Sequence, residues 1–237
     1  MFMQRLLCLC VFLMALFTLP PCLAGGPEHT PQPRYAGVYI EGNGGYAYRN
    51  WRDNGLLQDY IVAFQGGAVF GPFNNGRDGA TGGAALGYQV NQFIAVEGGW
   101  SYLPHMRYVV PMGNMLLFGN AMSVNSCLAY VGVKLNVPVY AQTYLFGKFG
   151  AAYVTNHGSF SGGTAAAIAT AGLPTNGTFW APLFAGGIQY YFSEHWSVNF
   201  QYLYVRGYRK VPLGATATHF PSPDTNLFTV GIGFKFV

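Results

Sequence analysis

The sequence feature that most constrains the fold is the segment at 227–237, which reads L-F-T-V-G-I-G-F-K-F-V. Large apolar residues occupy every second position from Phe228 to Phe236, and the positions between them hold threonine, glycine and lysine. Because side chains on a strand alternate between its two faces, one face is continuously apolar and the other is small or polar. A strand of about ten residues with an apolar outside and a polar inside is what a transmembrane β-barrel requires.

The composition supports the same interpretation. The 237-residue chain is 51% hydrophobic and 17% aromatic, and only 8% of its residues are charged. In soluble domains roughly a quarter of the residues are charged. The discrepancy disappears if much of the surface faces lipid and is banded by aromatic side chains. Beyond the N-terminal segment no apolar run is long enough for a transmembrane helix, so the sequence predicts a membrane protein built from strands.

The first 24 residues have the layout of a secretory signal peptide. Arg5 provides a short positive region, residues 6–19 are apolar, and two prolines precede a small-residue cleavage site at Ala24. A retained anchor helix is the alternative, but fourteen apolar residues are too few to cross a bilayer comfortably. We therefore expect an exported protein with a signal peptide at 1–24, an irregular periplasmic leader at 25–36 and a barrel domain at 37–237.

Alternation of apolar with small or polar positions recurs along the mature chain and predicts eight strands. The strands are expected at 37–49, 81–90, 93–102, 121–135, 141–153, 178–192, 196–206 and 227–237. Long connections at 50–79, 103–120, 154–177 and 207–224 alternate with short turns. This asymmetry predicts an all-β, eight-stranded antiparallel up-and-down transmembrane β-barrel with short periplasmic turns and four long outer loops.

Five charged residues fall inside the predicted strands, and alternation directs all of them to the lumen. They are Glu41, Glu97, Lys134, Lys148 and Lys235. An eight-stranded barrel is just wide enough for side chains to fill, and an unpaired buried charge costs several kcal/mol, so these charges should be paired. Strand adjacency suggests that Glu41 pairs with Lys235 and that Glu97 pairs with Lys134, with Lys148 within reach. The alternatives are an ion path and a plugged, salt-bridged core, of which we favour the core.

Positive charge exceeds negative charge in the outer loops and at the outer strand ends. The basic residues there are Arg49, Arg52, Arg77, Arg107, Arg206, Arg209 and Lys210, against four aspartates. The outer leaflet of a bacterial outer membrane presents anionic lipopolysaccharide, whose phosphates these side chains could bind. Ordinary solvated loop charge is the alternative, and the sequence favours neither.

Aromatic residues near the predicted strand ends are expected to lie at the two membrane interfaces, as they do in transmembrane barrels generally. The residues assigned to this belt are Tyr46, Tyr48, Trp100, Tyr102, Trp196, Tyr202 and Tyr204.

Five segments of the chain resemble a known superfamily. They read G-V-Y-I-E-G-N-G-G-Y-A-Y at 37–48, A-A-L-G-Y-Q-V at 84–90, Y-V-G-V-K at 130–134, S-E-H-W-S-V-N-F-Q-Y at 193–202, and the final strand. The chain is similar along its whole mature length to the eight-stranded outer-membrane barrels, which include OmpA-type transmembrane domains, OmpX-like proteins and opacity-type surface proteins. The resemblance implies the barrel fold and an outer-membrane location.

These features favour a surface protein that is not an enzyme, in which a rigid barrel holds outer loops that meet lipopolysaccharide, a host surface or another extracellular ligand. A narrow porin-like channel or small-solute transport protein is the alternative. A lipid A-modifying enzyme is a third hypothesis, because His195-Trp196-Ser197 resembles the His-x-Ser of lipid A deacylases, but the predicted topology places it at a periplasmic turn. We expect a monomer and no cofactor, metal ion or nucleic acid.

Overall fold

The computed structural model describes residues 36–49, 74–75, 78–109, 121–161, 176–208 and 222–236. All of them belong to one compact unit, Pro31–Val237. The predicted signal peptide and almost all of the predicted periplasmic leader lie outside the described residues, so both stay predictions. Within the described ranges, no helix is long and apolar enough to cross a membrane.

Eight long strands and one two-residue strand make up the described structure. They are β1 (Gly37–Arg49), β2 (Asn74–Asn75), β3 (Asp78–Gln89), β4 (Ile94–Val109), β5 (Ala121–Tyr140), β6 (Thr143–Ser161), β7 (Asn176–Tyr191), β8 (Trp196–Val205) and β9 (Thr225–Lys235).

The eight long strands close into an antiparallel barrel. Each strand pairs with its neighbours in sequence, and the ring is closed by pairing between β1 and β9 and between β4 and β5. The short strand β2 pairs with the end of β4 through Asn74↔Val109 and Asn75↔Tyr108. The predicted fold is therefore confirmed, with consecutive strands adjacent all the way round.

Three strands are longer than the sequence predicts. β4 continues to Val109, β5 runs to Tyr140, and β6 continues to Ser161, where loop or turn was expected. At the outer end of β6 the outward positions are Thr155, His157 and Ser159, so the apolar face ends before the strand does. Apolar alternation indicates which part of a strand faces lipid. The end of the strand depends instead on how far it pairs with its neighbours.

The turn predicted around Pro138 is placed wrongly. Pro138 lies inside β5 opposite Tyr144, and the chain turns at residues 141–142. The register shifts between Pro138 and Tyr140, which is an irregularity that accommodates a residue without a backbone N–H.

Candidate functional sites in the lumen and on the outer wall

The middle of the lumen is organised around the buried carboxylate of Glu97 on β4. Lys148 on β6 forms an ion pair with it, with 2.6 Å between Nζ and Oε1. The hydroxyl of Tyr130 donates to the same oxygen at 2.6 Å, and the hydroxyl of Tyr39 donates to Oε2 at 2.7 Å. Three donors on three other strands therefore hold one buried carboxylate, which is the arrangement that compensates for its desolvation.

The other two lysines of the lumen have amide partners. Lys134 donates to Oε1 of Gln189 at 2.8 Å and lies over the ring of Phe146, 4.4 Å from its centroid. Lys235 on β9 donates to Oε1 of Gln89 on β3 at 3.3 Å, past the intervening strand β1. All five charged residues predicted for the lumen, Glu41 included, are buried inside the barrel.

Neither predicted pairing, of Glu97 with Lys134 or of Glu41 with Lys235, is an ion pair among the described residues, where Glu97 pairs with Lys148 instead. In the register of β4 with β5, Lys134 lies opposite Ala95 and Glu97 lies opposite Gly132. In the register of β1 with β9, Lys235 lies opposite Tyr39. The sequence does not show how far one strand is shifted along its neighbour when the two are not joined by a short turn. Only the fact that the two strands are neighbours was therefore predictable.

Three aromatic rings of the lumen lie directly on inward-facing glycines of the wall. Tyr39 covers Gly87, Tyr130 covers Gly99, and Phe146 covers Gly187. A Cβ built at Gly99 would stand 2.6 Å from ring atoms of Tyr130, and one at Gly187 would stand 2.6 Å from Cζ of Phe146. These glycines leave the space that the rings occupy.

An apolar layer crosses the lumen on the outer side of the charged cluster. Its buried members come from seven strands: Ala47, Leu103, Leu128, Tyr130, Ala152, Val154, Ala181, Leu183, Leu203, Val205 and Leu227. All five leucines have between 0% and 2% of their surface exposed. The sequence analysis missed this layer because it expected only small or polar residues on the inward face. Gly231 and Thr229 face inward, and by the same alternation Leu227 faces inward as well.

A polar network built on Arg49 lies beyond the apolar layer, at the outer end of the lumen. The guanidinium is fully buried and donates to Oγ of Ser126 at 2.7 Å, to Oδ1 of Asn156 at 3.1 Å and to Oγ of Ser222 at 3.3 Å. Ser126 also donates to Asn156 at 2.7 Å. The prediction that Arg49 contacts lipopolysaccharide is therefore wrong, because the alternation that directs Glu41 inward also directs Arg49 inward.

One cavity lies at the periplasmic end of the lumen. Its lining includes Glu41, Gln89, Lys134, Gln189 and Lys235, and its volume is about 10 Å³. That volume holds about one water molecule. The described lumen therefore contains a water-sized pocket on the periplasmic side and packed side chains beyond it.

The lipid-facing wall carries the aromatic side chains of the predicted belt. Trp196 begins β8 beside a short turn, Trp100 and Tyr102 lie in the middle of β4, and the other four lie toward the outer ends of β1 and β8. Five of the seven are between 39% and 50% exposed: Tyr46, Trp100, Tyr102, Trp196 and Tyr202. Tyr153 and Trp180, which the sequence analysis did not select, also point outward from this wall and are in ring contact, with centroids 5.2 Å apart.

Of the other basic residues predicted at the outer side, only the side chain of Arg206 is described. It is exposed and follows the last residue of β8. Arg107 is placed on β4 by its backbone pairing with Ser123, but its side chain is not described. Arg52, Arg77, Arg209 and Lys210 lie outside the described residues.

A surface groove lies near the outer ends of β1, β8 and β9. It is lined by Tyr48, Tyr202, Asn226 and Phe228 and has a volume of about 380 Å³. The hydroxyl of Tyr202 donates to Oδ1 of Asn226 at 2.7 Å. The groove thus combines an amide with three aromatic rings.

The candidate His-x-Ser pair is divided between the two sides of the barrel wall. His195 is exposed in the turn before β8, and its Nδ1 lies 3.0 Å from the backbone oxygen of Lys235. Ser197 is buried in the lumen, where its Oγ accepts from Gln189 at 2.9 Å. The imidazole therefore does not activate this hydroxyl in the structure. Among the described residues, no cluster of three or more histidine, cysteine or acidic side chains could hold a metal ion.

A closed barrel of eight antiparallel strands, apolar outside with aromatic residues at its ends, defines an outer-membrane β-barrel protein. Residues 13–236 match the model of the outer membrane protein beta-barrel domain, and the chain belongs to that family. The protein is accordingly placed in the outer membrane.

Similar proteins include outer membrane protein A of Yersinia pseudotuberculosis, 27% identical over 168 residues that cover 70% of this chain and 42% of that protein. Outer membrane protein A of Serratia marcescens is 23% identical over 189 residues that cover 80% of this chain and 47% of that protein. The chain spans less than half the length of these relatives. Among solved structures, the outer membrane protein OprG of Pseudomonas aeruginosa has a TM-score of 0.50 at 15% identity, covering 87% of this chain and 99% of that one. This last similarity concerns the fold alone.

Proposed function

We propose that this protein is a non-conducting outer-membrane barrel that acts through its extracellular surface. The apolar layer carries the proposal. It fills the lumen with leucine, valine and alanine side chains at the level where an ion would have to leave water, and a hydrated ion pays a large desolvation penalty in such surroundings. The Arg49 network covers the outer side of this layer.

The charged cluster favours the same conclusion over a channel. A conducting path needs charges that can exchange a partner for a passing ion, and Glu97 instead accepts three short hydrogen bonds from Lys148, Tyr130 and Tyr39. The cation of Lys134 is in turn held by an amide oxygen and an aromatic face. Side chains fixed in this way stabilise a plugged core.

Planar-bilayer recording tests the non-conducting lumen. The purified barrel should insert without producing conductance steps. A triple variant, Leu128→Ser, Leu183→Ser and Leu227→Ser, hydrates the apolar layer and should show openings if it remains inserted, which makes it the positive control. Steady conductance of the unaltered protein that changes in Glu97→Gln would establish the channel instead.

The surface role would reside in the outer connections, whose partners in this hypothesis are lipopolysaccharide, a host surface or another extracellular ligand. A rigid barrel tolerates replacement of such segments because its own pairing is unaffected. Residues 50–73, 110–120, 162–175 and 209–221 would be replaced one at a time by short Gly-Ser linkers. Binding of intact cells to immobilised host glycans or proteins should fall for at least one replacement while the heat-dependent gel shift of the barrel is retained. If cells with the unaltered protein, cells with each replacement and cells lacking the protein all bind equally, a surface role toward these ligands is contradicted.

A further inference from the structure

The outward face of β9 is apolar except at one position. From Phe236 back to Phe228, each outward residue is a large apolar side chain, and Phe228, Val230 and Ile232 are between 45% and 57% exposed. The next outward position is Asn226. In register it lies opposite Tyr48 of β1 and Tyr204 of β8. An amide is therefore placed among tyrosines at the outer edge of the lipid-facing wall.

The hydrogen bonding of Asn226 leaves its donors available. Its Oδ1 accepts from the hydroxyl of Tyr202 at 2.7 Å. This contact fixes the orientation of the amide, and no acceptor among the described residues binds its NH₂ group. In a bilayer an unpaired donor is costly, so a group at this depth is best satisfied by an acceptor oxygen of the surrounding lipid.

An apolar groove extends from the amide toward the membrane centre. Its lining consists of Asn226 and the rings of Tyr48, Tyr202 and Phe228. The rings of Tyr202 and Phe228 are in contact, with their centroids 5.0 Å apart. The groove is shallow and open along the wall, so it offers an apolar surface rather than an enclosed pocket. Its position on the lipid side of the wall makes an acyl chain its natural occupant.

Arg206 supplies a cation beside the amide. It directly follows the last residue of β8, two positions beyond Tyr204, and Tyr204 lies opposite Asn226. Its side chain is exposed and forms no salt bridge among the described residues, although the Asp224 carboxylate lies nearby and accepts from the backbone N–H of Gly207 at 2.7 Å. From the membrane surface inward, the site therefore presents a cation, two amide N–H donors and an apolar groove.

We propose that this groove binds a phosphorylated glycolipid of the lipopolysaccharide class from the outer leaflet. A phosphate would bind the Arg206 guanidinium through charge-assisted hydrogen bonds, an ester or sugar oxygen would accept from Asn226, and an acyl chain would lie against Phe228. A zwitterionic phospholipid fits less well because its headgroup brings a second cation toward Arg206. The site lies outside the barrel wall, so it stands whether or not the lumen conducts.

Lipid retention in nanodiscs tests the proposal. The barrel would be reconstituted in phosphatidylcholine containing a small fraction of lipopolysaccharide, and bound lipid would be quantified by native mass spectrometry. Arg206→Gln should lower lipopolysaccharide retention roughly tenfold, which corresponds to one hydrogen bond to a charged group, and Asn226→Val should lower it about fivefold, which corresponds to one hydrogen bond between neutral groups. Thr178→Val replaces an exposed, outward-facing polar residue near the outer end of β7 and should leave retention unchanged.

A second variant separates lipid binding from a structural role of the amide. Asn226→Asp keeps an acceptor for the Tyr202 hydroxyl but places a negative charge beside the lipid phosphate, so it should reduce retention more than Asn226→Val does. Equal retention by the unaltered protein and all the variants would overturn the proposal. So would equal retention of phosphatidylglycerol in place of lipopolysaccharide, since that outcome would indicate attraction to any anionic lipid.

Discussion

Arg49 and Asn156 lie on opposite sides of the barrel and are joined by a hydrogen bond of 3.1 Å across its lumen. Arg49 ends β1, and Asn156 lies on β6, four strands away in either direction around the ring of eight. The ion pair of Glu97 with Lys148 links β4 to β6 on the periplasmic side of the apolar layer. The apolar layer therefore lies between the Arg49–Asn156 hydrogen bond and the Glu97–Lys148 ion pair. Each of these contacts joins two strands that are not neighbours in the sheet.

Replacing Arg49 with methionine should destabilise the barrel while leaving its strands intact. The substitution keeps an unbranched side chain but removes donors to Ser126, Asn156 and Ser222. Hydrogen bonds from a charged group are worth about 1.5–3 kcal/mol each, and Ser126 and Asn156 still bond to each other, so a net loss on the order of 3 kcal/mol is expected. Urea unfolding of the barrel in lipid vesicles measures it.

Arg206→Met is the matched control for Arg49→Met. Arg206 is an arginine at the same end of the barrel, but it points outward and is exposed. Its replacement should leave the unfolding midpoint within experimental error. Equal destabilisation by both substitutions would show that the loss of a positive charge, rather than the cross-barrel bonds, sets the stability.

Glu97→Gln should be more damaging than removal of both members of its ion pair. The glutamine preserves the shape but leaves the Lys148 ammonium buried without a counter-charge, which costs about 3–5 kcal/mol. Adding Lys148→Met removes the stranded cation and should restore a large part of the unfolding free energy. A double variant less stable than Glu97→Gln would show that Lys148 is stabilised by contacts other than Glu97.

Two glycines of the wall should respond differently to alanine. At Gly99 a Cβ would stand 2.6 Å from the Tyr130 ring, whereas at Gly42 nothing lies within 4 Å. Gly99→Ala should therefore displace Tyr130 from Glu97 and cost about 1–3 kcal/mol through overpacking. Gly42→Ala should change the stability by less than about 0.5 kcal/mol. Similar losses at both positions would indicate that backbone flexibility matters here more than the ring contact.

The sequence predicted the barrel, the strand order and the inward direction of its five strand charges, because these follow from alternation alone. It did not predict which charges meet, since Lys134 and Glu97 are offset by a register that only the assembled sheet defines. Arg49 shows a different failure. Its position at a strand end suggested a solvent-facing side chain, although the alternation that begins at Tyr39 already directed it inward.

The groove at Asn226 lay beyond sequence reasoning for a further reason. Asn226 precedes the predicted final strand, and the sequence analysis assigned no role to an amide just before its first apolar residue. The groove forms only when β1, β8 and β9 bring Tyr48, Tyr202 and Phe228 beside that amide. Sites assembled from three strands that are distant in sequence require the register as well as the pattern.

The orientation of the barrel can be tested by labelling single cysteines on intact cells. In a Cys127→Ala background, Ser159→Cys places a thiol on the exposed outer end of β6, and Tyr140→Cys places one at the 73% exposed end of β5, beside the short turn. Because short turns face the periplasm in barrels of this class, a membrane-impermeant maleimide should label position 159 on intact cells and position 140 only after the outer membrane is permeabilised. The reverse pattern would invert the barrel and put both Arg206 and the Asn226 groove at the inner leaflet, where lipopolysaccharide is not presented. Labelling at both positions on intact cells would instead report a leaky outer membrane, which labelling of a periplasmic marker protein in the same cells would reveal.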